Sequence, residues 1–293
     1  MSITIPGFET RTIGVADGVE LHAAIGGEGP ALVLLHGFPE THLMWRHVAP
    51  VLAEHRTVVC PDLRGYGASS KPEAATADTY AKRTMASDVV GLADALGAER
   101  FALVGHDRGA HVAFRAGLDH PDRISHLGIL DVVPTPDTWD VLHGIDAAVG
   151  FHLFLMAQPP GLPEQMISGS ADAFFGHFLD AWSNGPDAIP DDVRAEYLRA
   201  SREAVPSIVA DYRATATVDL AHDRADLAAG NRLTMPTMVV QQDWGRQLGY
   251  DATAVWHPWT TDLRHFTTEA GHFMAEEAPE DTAALILELI GSV

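Results

Sequence analysis

Phe101-Ala102-Leu103-Val104-Gly105-His106-Asp107-Arg108-Gly109-Ala110-His111-Val112-Ala113-Phe114-Arg115 is the stretch on which the fold turns. Its first four residues form an apolar run that reads as a strand buried on both faces, and the run from Ala110 reads as a helix. Glycines flank the residue between them. A strand, a tight turn and a helix push that central side chain out at the top of a sheet, close to backbone amides and a helix N-terminus. Elbows of this kind commonly carry serine, whereas here the residue is Asp107. Serine attacks an acyl carbon. A carboxylate suits a saturated carbon bearing a leaving group, because it forms an ester that water can later cleave. The expected chemistry is alkyl transfer to Asp107 followed by hydrolysis.

Working outward, residues 31–35, 57–60, 126–130 and 237–240 are further short strand-like runs, with helical segments between the first of them. This is the pattern of an α/β fold with a mostly parallel sheet covered by helices on both faces. Residues 12–15 and 20–25, separated by Asp17-Gly18, read as an opening hairpin. From Pro134 to about Tyr212 the pattern changes to aromatic and amphipathic helical segments broken by Pro159-Pro160-Gly161, Gly185-Pro186 and Pro190. The expected organisation is a core over residues 1–133, a helical cap over 134–212 and the rest of the core over 213–293. An amphipathic helix from about Pro279 to Ile290 closes the chain.

The 293 residues suffice for one large domain with an insertion, and the formal charge of −21 argues against nucleic acid or an anionic membrane as partner. The single cysteine, Cys60, ends an apolar run and reads as a buried core residue with no internal disulfide. A reducing cytoplasm fits that usage. Neither a secretory signal nor a membrane-length apolar run is apparent.

Three further segments carry chemistry. In His36-Gly37-Phe38-Pro39-Glu40, after a buried strand, the amide of Phe38 can act as an oxyanion donor, with the amide of Arg108 as its partner. The base is expected near the C-terminus, after the elbow, and His272 in Glu269-Ala270-Gly271-His272-Phe273 is the best placed of sixteen histidines. An acid must orient that imidazole. Asp131 and Asp243 each follow a strand, and either strand end can reach the same face.

With these pieces placed, the chain resembles the fluoroacetate and haloacetate dehalogenases, a branch of the α/β-hydrolase fold related to epoxide hydrolases and haloalkane dehalogenases. The resemblance covers almost the whole chain. It is carried by His36-Gly37-Phe38-Pro39, Met44-Trp45, Asp62-Leu63-Arg64-Gly65-Tyr66-Gly67, Gly105 to Gly109, Leu118-Asp119-His120-Pro121, Leu130-Asp131, Asp211-Tyr212-Arg213-Ala214 and Gly271-His272-Phe273. It implies Asp107 as nucleophile, Asp131 as orienting acid and His272 as the base that activates water. It also implies two arginines on a substrate carboxylate, matched by Arg108 and, four residues after the nucleophile, by His111. The family's halide pocket of histidine, tryptophan and tyrosine is matched by His152, Leu153 and Tyr212. Leucine donates no hydrogen bond, and one lost donor costs on the order of 2 to 4 kcal/mol at the transition state, which weighs most on fluoride. A 2-haloacid substrate is therefore expected, with no metal or organic cofactor, and a homodimer follows from the family. The rival expectation is an epoxide hydrolase using His152 and Tyr212 to protonate the ring oxygen. A third is a ligand-binding homologue without turnover.

Overall fold

The computed structural model describes residues 3–185, 187–242 and 249–291. Among them, eight strands form one sheet: β1 (Glu9–Gly14), β2 (Glu20–Gly26), β3 (Ala31–Leu35), β4 (Thr57–Pro61), β5 (Phe101–His106), β6 (Ile124–Leu130), β7 (Thr237–Gln241) and β8 (Leu263–Thr267). Their order across the sheet is β1-β2-β4-β3-β5-β6-β7-β8. β2 runs antiparallel to both its neighbours, and every pair from β4 to β8 is parallel. The α/β-hydrolase fold is thus present, with its hairpin at one edge.

The runs that read as continuous apolar strands do so because both of their faces are covered. On β6, Leu127 lies against Gly117 of the helix Arg108–Asp119, whereas the next residue, Gly128, lies against Leu289 of the helix Pro279–Leu289. Successive strand residues point to opposite faces, so these two helices sit on opposite sides of the sheet. β5 lies near the middle of the sheet and every one of its residues is buried. Its C-terminal end carries the elbow into the interior of the molecule. Cys60 is buried in β4.

The chain between β6 and β7 is helical: Thr135–Val141, Phe151–Met156, Leu162–Ser168, Ala171–Ala181, Asp191–Glu203 and Val205–Ala214. The insertion was expected to end near Tyr212. The last of these helices runs on through a π-helical turn, Thr215–Asp219, into the helix Leu220–Ala229. Asp223 and Asp226 of that helix pair with Arg115 of the helix after the elbow, tying the insertion to the core. A second tie is apolar. Phe38 is fully buried at the end of β3, with its ring against Phe175, Phe178 and Trp182 of the inserted segment. Burying such a ring contributes roughly 1.5–3 kcal/mol. Among the described residues, no helix is long and apolar enough to cross a membrane.

Candidate active site

The elbow works because side chains are missing around it. A Cβ on Gly105 would lie 2.2 Å from the carbonyl oxygen of Gly109, and one on Gly109 would lie 2.5 Å from that of His36. Only glycine lets the helix start this close to β5 and β3. Asp107 itself takes φ 47° and ψ −114°, a strained backbone for a residue with a side chain. The strain lifts its carboxylate off the sheet, while its carbonyl accepts from the amides of Ala110 and His111 and opens the helix.

The two oxygens of Asp107 meet different neighbours. Oδ1 accepts the Phe38 amide at 2.7 Å, and Oδ2 lies 3.9 Å from Nε2 of His272. The Arg108 amide, first in its helix, has no intrahelical acceptor. Burial pushes the Asp107 carboxyl up, but His272, His106, Arg108 and the Phe38 amide outweigh it and hold the pKa below the usual value. Asp107 is therefore an anion at neutral pH.

Nδ1 of His272 donates to Oδ2 of Asp131 at 2.6 Å. Burial pushes the imidazole down, yet the Asp131 hydrogen bond and charge, with Asp107 and Glu277 behind them, leave its pKa above 6.5. Nε2 is buried and makes no hydrogen bond to protein, so it can face a water between itself and Asp107. Asp131 ends β6 with φ 56°. Gln242 holds it in turn, with its backbone amide on Oδ1 at 3.0 Å and its side-chain amide on Oδ2 at 2.8 Å. The rival acid, Asp243, lies outside the described residues.

Arg108 is buried beside the nucleophile, with Nε 2.8 Å from Oδ2 of Asp211 and Nη2 2.5 Å from Oγ1 of Thr215. Its guanidinium lies 4.1 Å over the ring of Tyr212. Asp211 also pairs with the buried Lys82, whose ammonium lies 3.9 Å from Oδ2 of Asp219, so two cations meet two carboxylates in this corner. Among the described residues, only Nε and Nη2 of Arg108 have hydrogen-bond partners. His111 lies one helical turn beyond Asp107 and faces the same cavity. Burial, reinforced by Arg108 and Lys82, pushes its imidazole down to about 3. It is neutral and cannot act as a second cation.

Opposite Asp107 stand His152 and Tyr212, with ring centroids 5.4 Å apart. Nδ1 of His152 and the Tyr212 hydroxyl are buried with no hydrogen-bond partner among the described residues. Burial lowers the His152 imidazole to about 3 and raises the Tyr212 phenol well above its ordinary value. Both are thus neutral donors. Orphaned polar groups this deep are costly unless a ligand completes them. Leu153, also in the wall, supplies only apolar surface.

These residues enclose one cavity of about 140 Å³, reached by Asp107, Arg108, His111, His152, Tyr212 and His272. Every candidate named from the sequence and described here borders it, except Phe38, whose amide reaches Asp107 from beneath. Several supports were not foreseen. Gln242 could have been suspected from the polar pair at the end of β7. The carbonyl of Trp182, which accepts the His272 amide at 2.9 Å, gives no sequence signal. His106 donates from Nε2 to the His272 carbonyl at 2.8 Å and bears on the base from below. Elsewhere, His22, His42 and Asp62 bring ligand atoms within 4.8 Å of one another. Asp62 already accepts from the backbone amide and Nδ1 of His42 and from the Ala68 amide, which makes it an anchor for its turn.

A family model of the α/β hydrolase fold matches residues 30–154. A fluoroacetate dehalogenase of Burkholderia sp is 39% identical over 289 residues, covering 97% of this chain and 94% of its own. A soluble epoxide hydrolase of Corynebacterium sp. (strain C12) is 33% identical over 277 residues, covering 91% and 93% respectively. The solved structure of ALR0039, described as an α/β hydrolase from Nostoc sp PCC 7120, matches with a TM-score of 0.93 and 37% identity over 98% of this chain and 99% of that one. Similarity this extensive, on the same fold, means that the chain belongs to the α/β-hydrolase family, in the branch that holds fluoroacetate dehalogenase and soluble epoxide hydrolase.

Proposed function

We propose that this hydrolase converts small 2-haloacids to 2-hydroxy acids through an ester on Asp107. The observation that carries the substrate class is Arg108: a permanent cation in the cavity wall beside the nucleophile, whose Nη1 has no hydrogen-bond partner among the described residues and would take one carboxylate oxygen.

With the carboxylate on Arg108 and the inserted helices acting as a cap, Oδ2 of Asp107 attacks the halogen-bearing carbon from behind. The carbon–halogen bond breaks with its electron pair passing to the halide, which leaves toward the hydroxyl of Tyr212 and the ring N–H of His152. Water between Nε2 of His272 and Asp107 then loses a proton to His272 and attacks Cγ of the ester. The negative charge collects on Oδ1 under the amides of Phe38 and Arg108. Collapse breaks the bond between Cγ and the alkoxide oxygen, the alkoxide takes the proton from His272, and the acid left on Asp107 returns its own proton to solvent. The sum is haloacid plus water giving hydroxy acid, halide and a proton. Asp131 keeps His272 in the tautomer whose Nε2 can accept a proton.

The second reading, an epoxide hydrolase, draws on neutral His111 and on the partial compensation of Arg108 by Asp211, since an uncharged substrate needs no anion clamp. In that case the same His152 and Tyr212 pair protonates the ring oxygen. Intact mass of His272→Asn separates the two. A stable adduct from chloroacetate carrying only its carboxymethyl group supports the haloacid reading. An adduct of the full mass of an aryl epoxide, with none from chloroacetate, replaces it with the second.

A further inference from the structure

The cavity is larger than a haloacetate requires, and the excess is apolar. At roughly 10–15 Å³ for each water-sized sphere, 140 Å³ holds about ten non-hydrogen atoms, about twice what a haloacetate contains. The wall includes Val132, Val133, Leu142, Val149 and Leu153, alongside Thr138, Gln241 and Tyr250. Leu142 and Leu153 meet across Gly150, where an added Cβ would lie 2.9 Å from Leu142 and 3.5 Å from Leu153, so they form one continuous face. Between the wall residues Leu142 and Val149 the chain carries Ile145, which is 85% exposed, and Phe151 and Phe154 follow at 41% and 42%. An apolar lip on the outside therefore continues into an apolar wall inside. A haloacetate leaves that wall facing water, whereas an alkyl branch would cover it.

Resting on the haloacid reading, we propose that the preferred substrates are 2-haloalkanoic acids bearing an alkyl chain of about four carbons on the halogen-bearing carbon, lodged against Leu142, Val149 and Leu153. The chemistry is unchanged: the carbon–halogen bond still breaks at the carbon next to the carboxylate, and the chain takes no part in bond making.

The test compares 2-chloropropionate, 2-chlorobutanoate, 2-chloropentanoate and 2-chlorohexanoate, in all of which the reacting carbon is secondary. Each buried methylene raises kcat/KM about fourfold, so 2-chlorohexanoate should exceed 2-chloropropionate by more than tenfold. A flat or falling series overturns the proposal. In Leu153→Trp the indole occupies the chamber and the gain along the series should vanish; a gain that survives also overturns the assignment of this wall. The trapped ester in His272→Asn separates the levels of failure. An ester from 2-chloropropionate but from none of the longer acids defeats the chain pocket and leaves the haloacid reading standing. No ester from any haloacid defeats both.

Discussion

Replacing Asp131 by asparagine should stop the second half of the reaction while leaving the first intact. The Gln242 amide donates to Oδ1 at 3.0 Å, so the asparagine keeps its oxygen there. Its NH2 group then takes the place of Oδ2, facing Nδ1 of His272 at 2.6 Å and the Gln242 side-chain amide at 2.8 Å. Turning the asparagine over would set its NH2 group against the part-buried backbone amide of Gln242, which cannot turn away, whereas the Gln242 side-chain amide can present its oxygen instead. Moving the His272 proton from Nδ1 to Nε2 lets Nδ1 accept from the asparagine NH2 in place of two donors facing each other, and this outcome wins. The proton then points at the water that the base should activate. Ester formation needs no base and continues, whereas hydrolysis falls by about 10⁴-fold, as expected for an imidazole held in the wrong tautomer. Intact mass after rapid mixing should show one ester equivalent formed at the parent rate and decaying over a far longer time. Parent-like decay of that ester would refute the assignment of Asp131.

Three other outcomes follow from the same geometry. Tyr212→Phe removes one of two buried donors for the leaving group, so ester formation should slow by about 10² to 10³, as measured by halide release in a single turnover, with ester decay unchanged. For pH, His272 must be neutral to act, so activity should rise as pH rises through its pKa, which lies above 6.5 in the free enzyme. The ester removes the Asp107 charge that helps raise that pKa, so the profile for ester decay should turn at lower pH than an NMR titration of free His272. Gly105→Ala places a methyl against the Gly109 carbonyl, which cannot yield without moving the helix, and should cost at least about 3 kcal/mol in a urea melt.

The sheet was legible because β3, β4 and β5 are buried on both faces and so spell continuous apolar runs. The elbow was legible because its glycines are forced by backbone contacts that no other residue permits. The residues alone left Asp131 and Asp243 open, since both follow strands, and the preference for Asp131 came from the resemblance. The charge state of the anion site was equally hidden. Asp211 was visible as part of a motif, but its pairing with Arg108 spans 103 residues and depends on a helix–helix approach. His111 was visible as a departure from the arginine pair, and its neutrality comes from burial and from two nearby cations that local sequence does not reveal. The apolar wall at Leu142, Val149 and Leu153 reads as ordinary helix packing until the chain folds back and leaves a space beside it.

The hydrogen bond from Phe38 makes the two oxygens of Asp107 unequal, and isotopes would carry a memory of that inequality. In heavy-oxygen water the first product should leave unlabelled, because its hydroxyl oxygen is the old Oδ2 and the heavy atom stays on the protein. That atom then occupies the Oδ2 position, since Oδ1 is held at 2.7 Å by the Phe38 amide. A carboxylate that stays in place delivers the whole label to the second product; one that rotates between cycles delivers about half. Each product would then record the water of the turnover before its own.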